Sequence, residues 1–167
     1  KVIGSEYWSD EIEFEESIKK IGITGICGSG IIEAVAGMYL AGIISQDGLM
    51  NKSLVTKTER LIQQGRTFSY FLHRGTPEVL ITQNDIRAIQ LAKAALYAGA
   101  KLLMDKLGVK KVDKIRLAGA FGSHIDVKYA MILGMIPDCN VDMVTSAGNA
   151  ASTGARMALL DTVSRDE

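Results

Sequence analysis

Hydrophobic residues recur along this chain at helical spacing in two long segments. From Ser29 to Ala41 the residues are apolar on nearly every side, and Glu33 is the one charged residue among them, which predicts a buried helix. Between Thr82 and Leu107 apolar residues recur every three or four positions, which predicts a long helix with one apolar face. That face comprises Ile86, Ile89, Ala92, Leu96, Gly99, Leu103 and Leu107.

Residues that favour strands and turns complete the predicted architecture. Two β-rich runs, 67–72 and 78–81, flank a turn with Gly75 and Pro77, which predicts a hairpin. Short apolar strands are predicted at 114–118 and 141–144, each followed by a helix. Alternating strands and helices imply parallel pairing in an α/β layered fold, with the hairpin adding antiparallel strands to a mixed sheet.

The helix ends carry their own signals. Thr82 and Asp85 have the spacing of a capping box, and Gly108 predicts the end of the long helix. Asp126 is expected to cap a helix that stops at Gly134. The first twenty residues resemble one or two edge strands, with Tyr7, Trp8, Ile12 and Phe14 among charged residues.

Composition and charge exclude several classes of protein. The chain has 167 residues, 47% of them hydrophobic, and a mean hydropathy of +0.15, so a buried core is expected and disorder is not. Nineteen basic residues balance nineteen acidic ones, which disfavours a nucleic-acid or membrane surface. With Lys1 first and no secretion or membrane segment, we expect a piece of a soluble, cytoplasmic protein.

Cysteine, histidine and aspartate residues give no catalytic or metal-binding pattern. Cys27 and Cys139 are too far apart for a metal-binding CxxC pair, and we expect reduced, buried thiols. His73 and His124 lack partners at zinc-ligand spacing. Asp126 and Asp138 are interpreted as a helix cap and a loop residue. No catalytic residue and no metal site are therefore predicted.

Two glycine-rich turns are the candidate binding elements. One precedes the first buried helix and the other follows the strand at 114–118. Glycine lets backbone approach a ligand closely, and free N–H groups at a helix start favour anionic or polar atoms. The alternative is that these glycines only permit tight turns. The candidate residues are Gly28, Ser29 and Gly30 in the first turn and Gly119, Ala120, Phe121 and Gly122 in the second.

The long helix offers a second set of polar candidates. Gln90, Lys93 and Tyr97 lie three and four positions apart, on a face opposite the predicted apolar one. An amide, an ammonium and a ring could contact a ribose and an adenine. The alternative is an ordinary solvated helix face, which is the more common state of such residues.

Five segments together resemble one family. Their order and spacing are similar to the C-terminal region of the reductive activators of corrinoid-dependent enzymes, which are iron–sulfur proteins with an ATPase core of the actin, heat-shock chaperone and sugar kinase superfamily. The resemblance runs from about Gly25 to Asp161 and is weak between Asn51 and Gly65. The segments are GICGSGIIEAVAGMYLAGII, ITQNDIRAIQLAKAALYAGAKLLMDKLG, IRLAGAFGSHID, GMIPD and SAGNAASTGARMALL.

The resemblance implies a function for a longer parent protein. ATP and magnesium would drive electron transfer from an iron–sulfur cluster, held in an N-terminal domain, to an inactive cob(II)alamin. The partner would be a corrinoid protein or a corrinoid-dependent methyltransferase, and a homodimer is possible. Residues 1–167 would form one C-terminal lobe of a ribonuclease-H-like fold, with 1–24 as an incomplete entry segment. Gly119, Ala120 and Gly122 resemble the superfamily's adenosine motif.

Two departures from the family pattern leave alternatives open. Ala120 stands where the family more often has a second glycine. The phosphate-binding hairpins of the superfamily have no match here, so we expect that this chain alone does not hydrolyse ATP. The alternatives are a lobe of a radical-dehydratase activator, of a sugar or acid kinase, or a non-catalytic docking module for a corrinoid protein.

Overall fold

The computed structural model describes residues 2–7 and 11–166, which fall into two compact units. The first unit comprises residues 1–27 and 52–82, and the second comprises residues 28–51 and 83–167. All the candidate binding residues belong to the second unit. Among the described residues, none of the helices combines the length and the apolar character that a membrane crossing requires.

The first unit begins with a helix that the sequence did not predict. Helix α1 spans Phe14–Ile21, so the expected edge strand is wrong there; the part of that expectation at Trp8 lies outside the described residues. Phe14 and Ile18 are four positions apart and both buried, as one helical face requires. Glutamates in the first turn and lysines in the last complement the helix dipole.

Three antiparallel strands form the sheet of the first unit. They are β1 (Leu61–Gln64), β2 (Thr67–His73) and β3 (Val79–Thr82), in the order β1-β2-β3. The predicted hairpin of β2 and β3 is confirmed. β1 was not predicted, because half of this short strand is glutamine. Leu61 and Ile81 are fully buried and give the sheet its apolar face.

The second unit alternates helices and parallel strands. In chain order it contains α2 (Gly28–Leu40), α3 (Gln83–Lys106), β4 (Ile115–Ala118), α4 (Val127–Ile132), β5 (Val144–Gly148), α5 (Ala150–Leu160) and α6 (Val163–Asp166). α2 packs on α4 and buries Ile32, Val35, Ala36 and Met38, as its apolar sequence predicted.

The two strands of the second unit pair in parallel, which confirms the α/β prediction. β5 begins later than expected because Val141–Met143 forms a short 3-10 helix, whose N-cap Asn140 accepts a hydrogen bond from the Asp142 amide at 3.1 Å. The predicted strand at 141–144 is therefore correct only at Val144. The antiparallel strands β1, β2 and β3 form one sheet, and the parallel strands β4 and β5 form another. The predicted combination of antiparallel and parallel strands is therefore present, but in two sheets and not in one mixed sheet.

Three of the predicted helix-end residues in the second unit are confirmed: Asp126, Gly108 and Gly134. The Asp126 side chain accepts a hydrogen bond from the Tyr129 amide at 3.1 Å and caps α4. Gly108 and Gly134 have φ values of 67° and 68° beyond the ends of α3 and α4, a conformation that glycine adopts without strain.

The predicted apolar face of α3 is wrong beyond its first turns. Ile86 is 1% exposed, but Leu96, Leu103 and Leu107 are between 53% and 73% exposed. The face that turns towards the rest of the second unit carries Gln90 and Lys93. Alanine and leucine occur on several sides of α3, so their spacing alone could not identify the packed side.

Candidate functional site

The two glycine-rich turns meet in the second unit. A methyl group built on Gly28 would lie 2.9 Å from Cε2 of Phe121, closer than carbon atoms normally approach. The Phe121 ring therefore rests directly on the backbone at the start of α2. Gly28 is exposed and the Phe121 ring is 50% exposed. We call Gly28–Gly30 and Gly119–Gly122 together the glycine-turn cluster.

Hydrogen bonds fix the second turn to the end of β5. The Gly119 amide donates to the Gly148 carbonyl at 2.8 Å. The Ser123 hydroxyl donates to the Gly119 carbonyl at 3.1 Å, and the Ser146 hydroxyl donates to that of Ser123 at 3.1 Å. Gly119 has a φ of 109°, a value that residues with a side chain rarely adopt. This glycine is required by the backbone itself.

Ala120 adopts an ordinary helical conformation. Its φ and ψ are −59° and −42°, so the position does not require glycine. Ala120 is exposed. By contrast, a methyl group on Gly122 would lie 3.2 Å from Cβ of Leu117, so Leu117 or the turn would have to shift slightly to admit it.

The glycine-turn cluster has features that fit an adenosine. A methyl group on Gly119 would meet no atom within 4 Å, so a ligand can approach the backbone closely at this glycine. The half-exposed Phe121 ring offers a flat apolar surface, and flat aromatic groups stack on such rings. Gly28, the first residue of the 13-residue α2, is exposed beside this ring.

The side chain of Gln90 is already engaged within the protein. Its Nε2 donates to the Asp47 carbonyl at 3.0 Å, and its Oε1 accepts from Nη1 of Arg87 at 2.6 Å. Gln83 donates to the Gly48 carbonyl at 2.6 Å. The side chains of Gln83, Arg87 and Gln90 on α3 thus hold the turn at Ser45–Leu49. The Gln90 side chain therefore has hydrogen-bond partners within the protein and needs no ligand to satisfy it.

Lys93 lies at the edge of a large cavity in the second unit. Its Nζ would be 3.8 Å from a methyl group on Gly134, just beyond α4. The cavity has a volume of about 680 Å³, within the range of ligand pockets. We call it the lysine cavity. Its polar lining includes Lys93, Lys101, Lys110, Lys111, Gln90 and Asp138, and Tyr39 and Tyr97 also line it.

The lysine cavity and the glycine-turn cluster lie at different levels of α2. Gly28 is the first residue of this helix, whereas Val35 and Tyr39 line the cavity. At 1.5 Å per residue, Val35 is roughly 10 Å and Tyr39 roughly 16 Å from Gly28 along the axis. The predicted binding residues are thus divided into two groups, with Gln90 and Lys93 in the second.

One lysine of the cavity, Lys101, has a raised pKa. The Lys101 ammonium lies 2.8 Å from Oδ1 of Asp105, and this hydrogen bond and the carboxylate charge raise the pKa of Lys101. Both side chains are more than half exposed, so the pair contributes little to stability.

Sequence reasoning missed most of the cavity. Lys110 and Lys111 stand between α3 and β4, outside the five segments of the resemblance, and Tyr39 stands at the end of α2. The two adjacent lysines at 110 and 111 were the sequence feature that could have indicated this cavity. Asp138 lies in a segment without regular structure, as expected for a loop residue.

The cysteines and histidines give no further site among the described residues. Neither cysteine forms a disulfide among the described residues; Cys27 is exposed and Cys139 is half-buried, so the prediction of buried thiols is wrong for Cys27. His73 lies against Gly75 in its turn, and His124 is exposed. No three His, Cys, Asp or Glu side chains within 2–7 and 11–166 are grouped to hold a metal.

The parallel strands, the flanking helices and the glycine turn after β4 are those of the C-terminal lobe of an actin-like, or ASKHA, fold. A family model described as the C-terminal domain of RACo, the ASKHA domain, matches residues 3–167. The chain belongs to this family. The predicted resemblance and the predicted fold class are thereby confirmed.

Two relatives are similar to most of this chain. The "Corrinoid activation enzyme RamQ" of Eubacterium limosum is 38% identical over 155 residues, which are 86% of this chain and 26% of that protein. A solved structure of a "Reductive activator for corrinoid,iron-sulfur protein" superposes with a TM-score of 0.75 at 30% identity, over 84% of this chain and 23% of that one. The chain therefore spans about a quarter of either relative's length.

Proposed function

We propose that this chain supplies the adenosine-side half of an ATP-binding cleft in a longer protein that reductively activates corrinoid proteins. The observation that carries the proposal is the contact of the two glycine turns at Gly28 and Phe121, in a chain of the ASKHA family. Two turns that are far apart in sequence meet at one exposed surface, which favours a binding role over two unrelated tight turns.

In this proposal the adenosine lies against the glycine-turn cluster. The bare backbone of Gly119 would admit the ribose and the base, Gly122 would let the turn pack tightly against Leu117, and the Phe121 ring would stack on the purine. Ser29 and Gly30, at the start of α2, would face polar atoms of the nucleotide. Gln90 and Lys93 line the lysine cavity and stay in the proposal as candidate contacts for the ribose and the base.

The chemistry of the parent protein is proposed from its relatives. ATP with magnesium would promote electron transfer from an iron–sulfur cluster to cob(II)alamin of a corrinoid protein or a corrinoid-dependent methyltransferase. Phosphoryl transfer depends on groups that position the phosphates and the metal. We propose that the cluster and these groups belong to other domains of a longer, cytoplasmic activator, so that this lobe binds but does not hydrolyse ATP.

Calorimetry with Gly122→Val tests the nucleotide role of the turn. In the longer activator we expect Gly122→Val to weaken ATP binding, because the added atoms crowd Leu117 and displace the turn. Gly154→Val is the matched control, since a methyl group on Gly154 in α5 meets no atom within 4 Å. Equal ATP affinity in the two variants, both folded by circular dichroism, would remove the glycine turn from the ATP site.

Reduction of the corrinoid tests the second half of the proposal. Mixed with a cob(II)alamin-containing corrinoid protein, ATP and a reductant, the longer activator should accelerate formation of the cob(I) state, followed by its absorption spectrum. An activator that binds ATP but leaves this rate unchanged would exclude corrinoid activation while leaving the nucleotide site intact.

A further inference from the structure

We propose that Ser123 and Ser146 are positioning residues, which hold Gly119 in the conformation that its contact with a ligand requires. The inference rests on the proposed function, because it concerns the same glycine turn. The two serine hydroxyls and the backbone of Gly119 and Gly148 form a closed set of hydrogen bonds, which we call the serine circuit. Neither serine is among the candidate binding residues.

Four hydrogen bonds close the serine circuit. The Gly119 amide donates to the Gly148 carbonyl at 2.8 Å, and the Gly148 amide donates to Oγ of Ser146 at 3.1 Å. The Ser146 hydroxyl donates to Oγ of Ser123 at 3.1 Å, and the Ser123 hydroxyl donates to the Gly119 carbonyl at 3.1 Å. Each hydroxyl therefore accepts one bond and donates one, and hydrogen bonds in such a chain strengthen one another.

A register shift at the end of the parallel strands brings Ser146 into the circuit. Leu117 pairs with Ser146, but Ala118 pairs with Gly148, so Ala147 is left between the two pairs. An extra residue of this kind bends a strand and redirects its neighbours, and such irregularities are frequent beside active sites. Here the Gly148 amide meets the side chain of Ser146.

The circuit engages every hydrogen-bonding group of Gly119. Its carbonyl also accepts a bond from the Ser123 amide at 3.2 Å, so the amide and both lone pairs of the carbonyl are in use. Gly119 therefore offers a ligand its bare Cα surface, where a methyl group would meet no atom within 4 Å. It has no hydrogen bond left for the edge of a base.

Gly119 needs such positioning because glycine has wide backbone freedom. Its φ of 109° lies in a region where other residues are strained. A turn that is already fixed in its binding conformation loses less conformational entropy when a ligand binds. Ser123 and Ser146 are exposed, so a ligand lying over the turn would also exclude water from the circuit and strengthen its bonds.

ATP titration of the longer activator tests the serine circuit. Ser146→Ala should weaken ATP binding roughly fivefold, the effect of losing one hydrogen bond, whereas Ser146→Thr keeps the hydroxyl and should bind as wild type. Ser152→Ala is the matched control, since Ser152 is an exposed serine of α5 that lies outside the circuit. At saturating ATP the rate of corrinoid reduction should be unchanged, because the circuit acts on binding.

Two comparisons separate positioning from direct contact with the ligand. Ser123→Ala combined with Ser146→Ala should lose no more ATP affinity than either change alone, because each change breaks the same circuit. The loss in Ser146→Ala should be the same for ATP and for inosine triphosphate, because Gly119 makes no hydrogen bond to the base.

The proposal is overturned if Ser146→Ala binds ATP like Ser152→Ala, if Ser146→Thr does not restore affinity, or if the two serine losses add. A loss that differs between the two triphosphates would make Ser146 a direct contact and reject positioning. A slower reduction at saturating ATP would also reject it, because the serine would then act beyond binding.

Gly122→Val distinguishes this inference from the proposed function. If Gly122→Val weakens ATP binding and Ser146→Ala does not, the serine circuit is rejected and the glycine turn remains the ATP site. If both variants bind ATP as wild type while folded by circular dichroism, the glycine turn is not the ATP site, and the proposed function and the circuit's role both fail.

Discussion

Gly28→Ala perturbs the contact that joins the two glycine turns. The new methyl group would lie 2.9 Å from Cε2 and 3.3 Å from Cδ2 of Phe121, whereas ordinary contact begins at 3.4 Å. The ring must therefore retreat by at least about 0.5 Å, the difference between 2.9 and 3.4 Å. Because the ring is half exposed, it can move towards solvent without disturbing the core.

Gly28→Ala has two opposing effects on the free energy of unfolding, and these nearly cancel. Alanine is favoured over glycine in a helix by up to about 1 kcal/mol. A ring forced away from its preferred rotamer costs about 0.5–1.5 kcal/mol. We therefore expect the free energy of unfolding to change by no more than about 1 kcal/mol. The binding surface changes more, because a displaced ring no longer stacks on a ligand.

The expected loss of ATP affinity follows from stacking. Aromatic contacts contribute about 0.5–1.5 kcal/mol beyond buried area, which corresponds to a loss of roughly two- to tenfold. Calorimetry measures the affinity and urea denaturation measures the stability. Gly37→Ala is the matched control on the same helix, because its methyl group meets no atom within 4 Å.

Two results would refute this reasoning. If Gly28→Ala and Gly37→Ala bound ATP equally, the Phe121 ring would have no part in the site. If Gly28→Ala instead lost more than about 3 kcal/mol of stability, as changes in a packed core do, the ring would be fixed and the assumption that it moves freely would be incorrect.

Three further predictions concern the second unit. Gly119→Ala should lower the free energy of unfolding by about 1–3 kcal/mol, measured by urea denaturation. A side chain is strained at a φ of 109°, although a methyl group there would meet no atom within 4 Å. An unchanged denaturation midpoint would contradict this expectation. Asp126→Ala should cost about 0.5–2 kcal/mol by removing the cap of the Tyr129 amide, and Asp126→Asn should restore most of it. Asp105→Asn should lower the pKa of Lys101 towards its ordinary value in an NMR titration. The pKa of Lys101 is raised in the folded state, so any stability that the pair contributes is fully present at neutral pH. That contribution is lost as the pH rises through the folded pKa.

The elements with strong local signals were predictable from the sequence. The buried helix α2 and the hairpin of β2 and β3 follow from hydrophobic spacing, and the Asp126 cap follows from a side chain that can accept a backbone hydrogen bond. The helix α1 was missed because only two apolar residues, Phe14 and Ile18, mark its buried face among charged residues.

The packed side of α3 could not be read from the sequence. Its leucines are spread around the helix, and most of them are exposed. The side that packs includes Lys93 and Gln90, polar residues that spacing alone assigns to solvent. Their position depends on the turn at Ser45–Leu49 and on α4, and such tertiary contacts leave no local pattern.

The candidate site was predictable in its residue types but not in its arrangement. Glycines at 28, 119 and 122 marked two turns, and only the structure brings Gly28 and Phe121 into contact. Lys110 and Lys111 had no motif to distinguish them from surface lysines. A cavity forms where separate elements leave a gap, and no single segment encodes that gap.

In the function that we propose, a purine stacks against the second glycine turn. A crystal structure of the longer activator with a non-hydrolysable ATP analogue tests it most directly. We expect the adenine ring within about 4 Å of the Phe121 ring and beside Gly119 and Gly122. An adenine bound elsewhere, with no contact to either glycine turn, would contradict it.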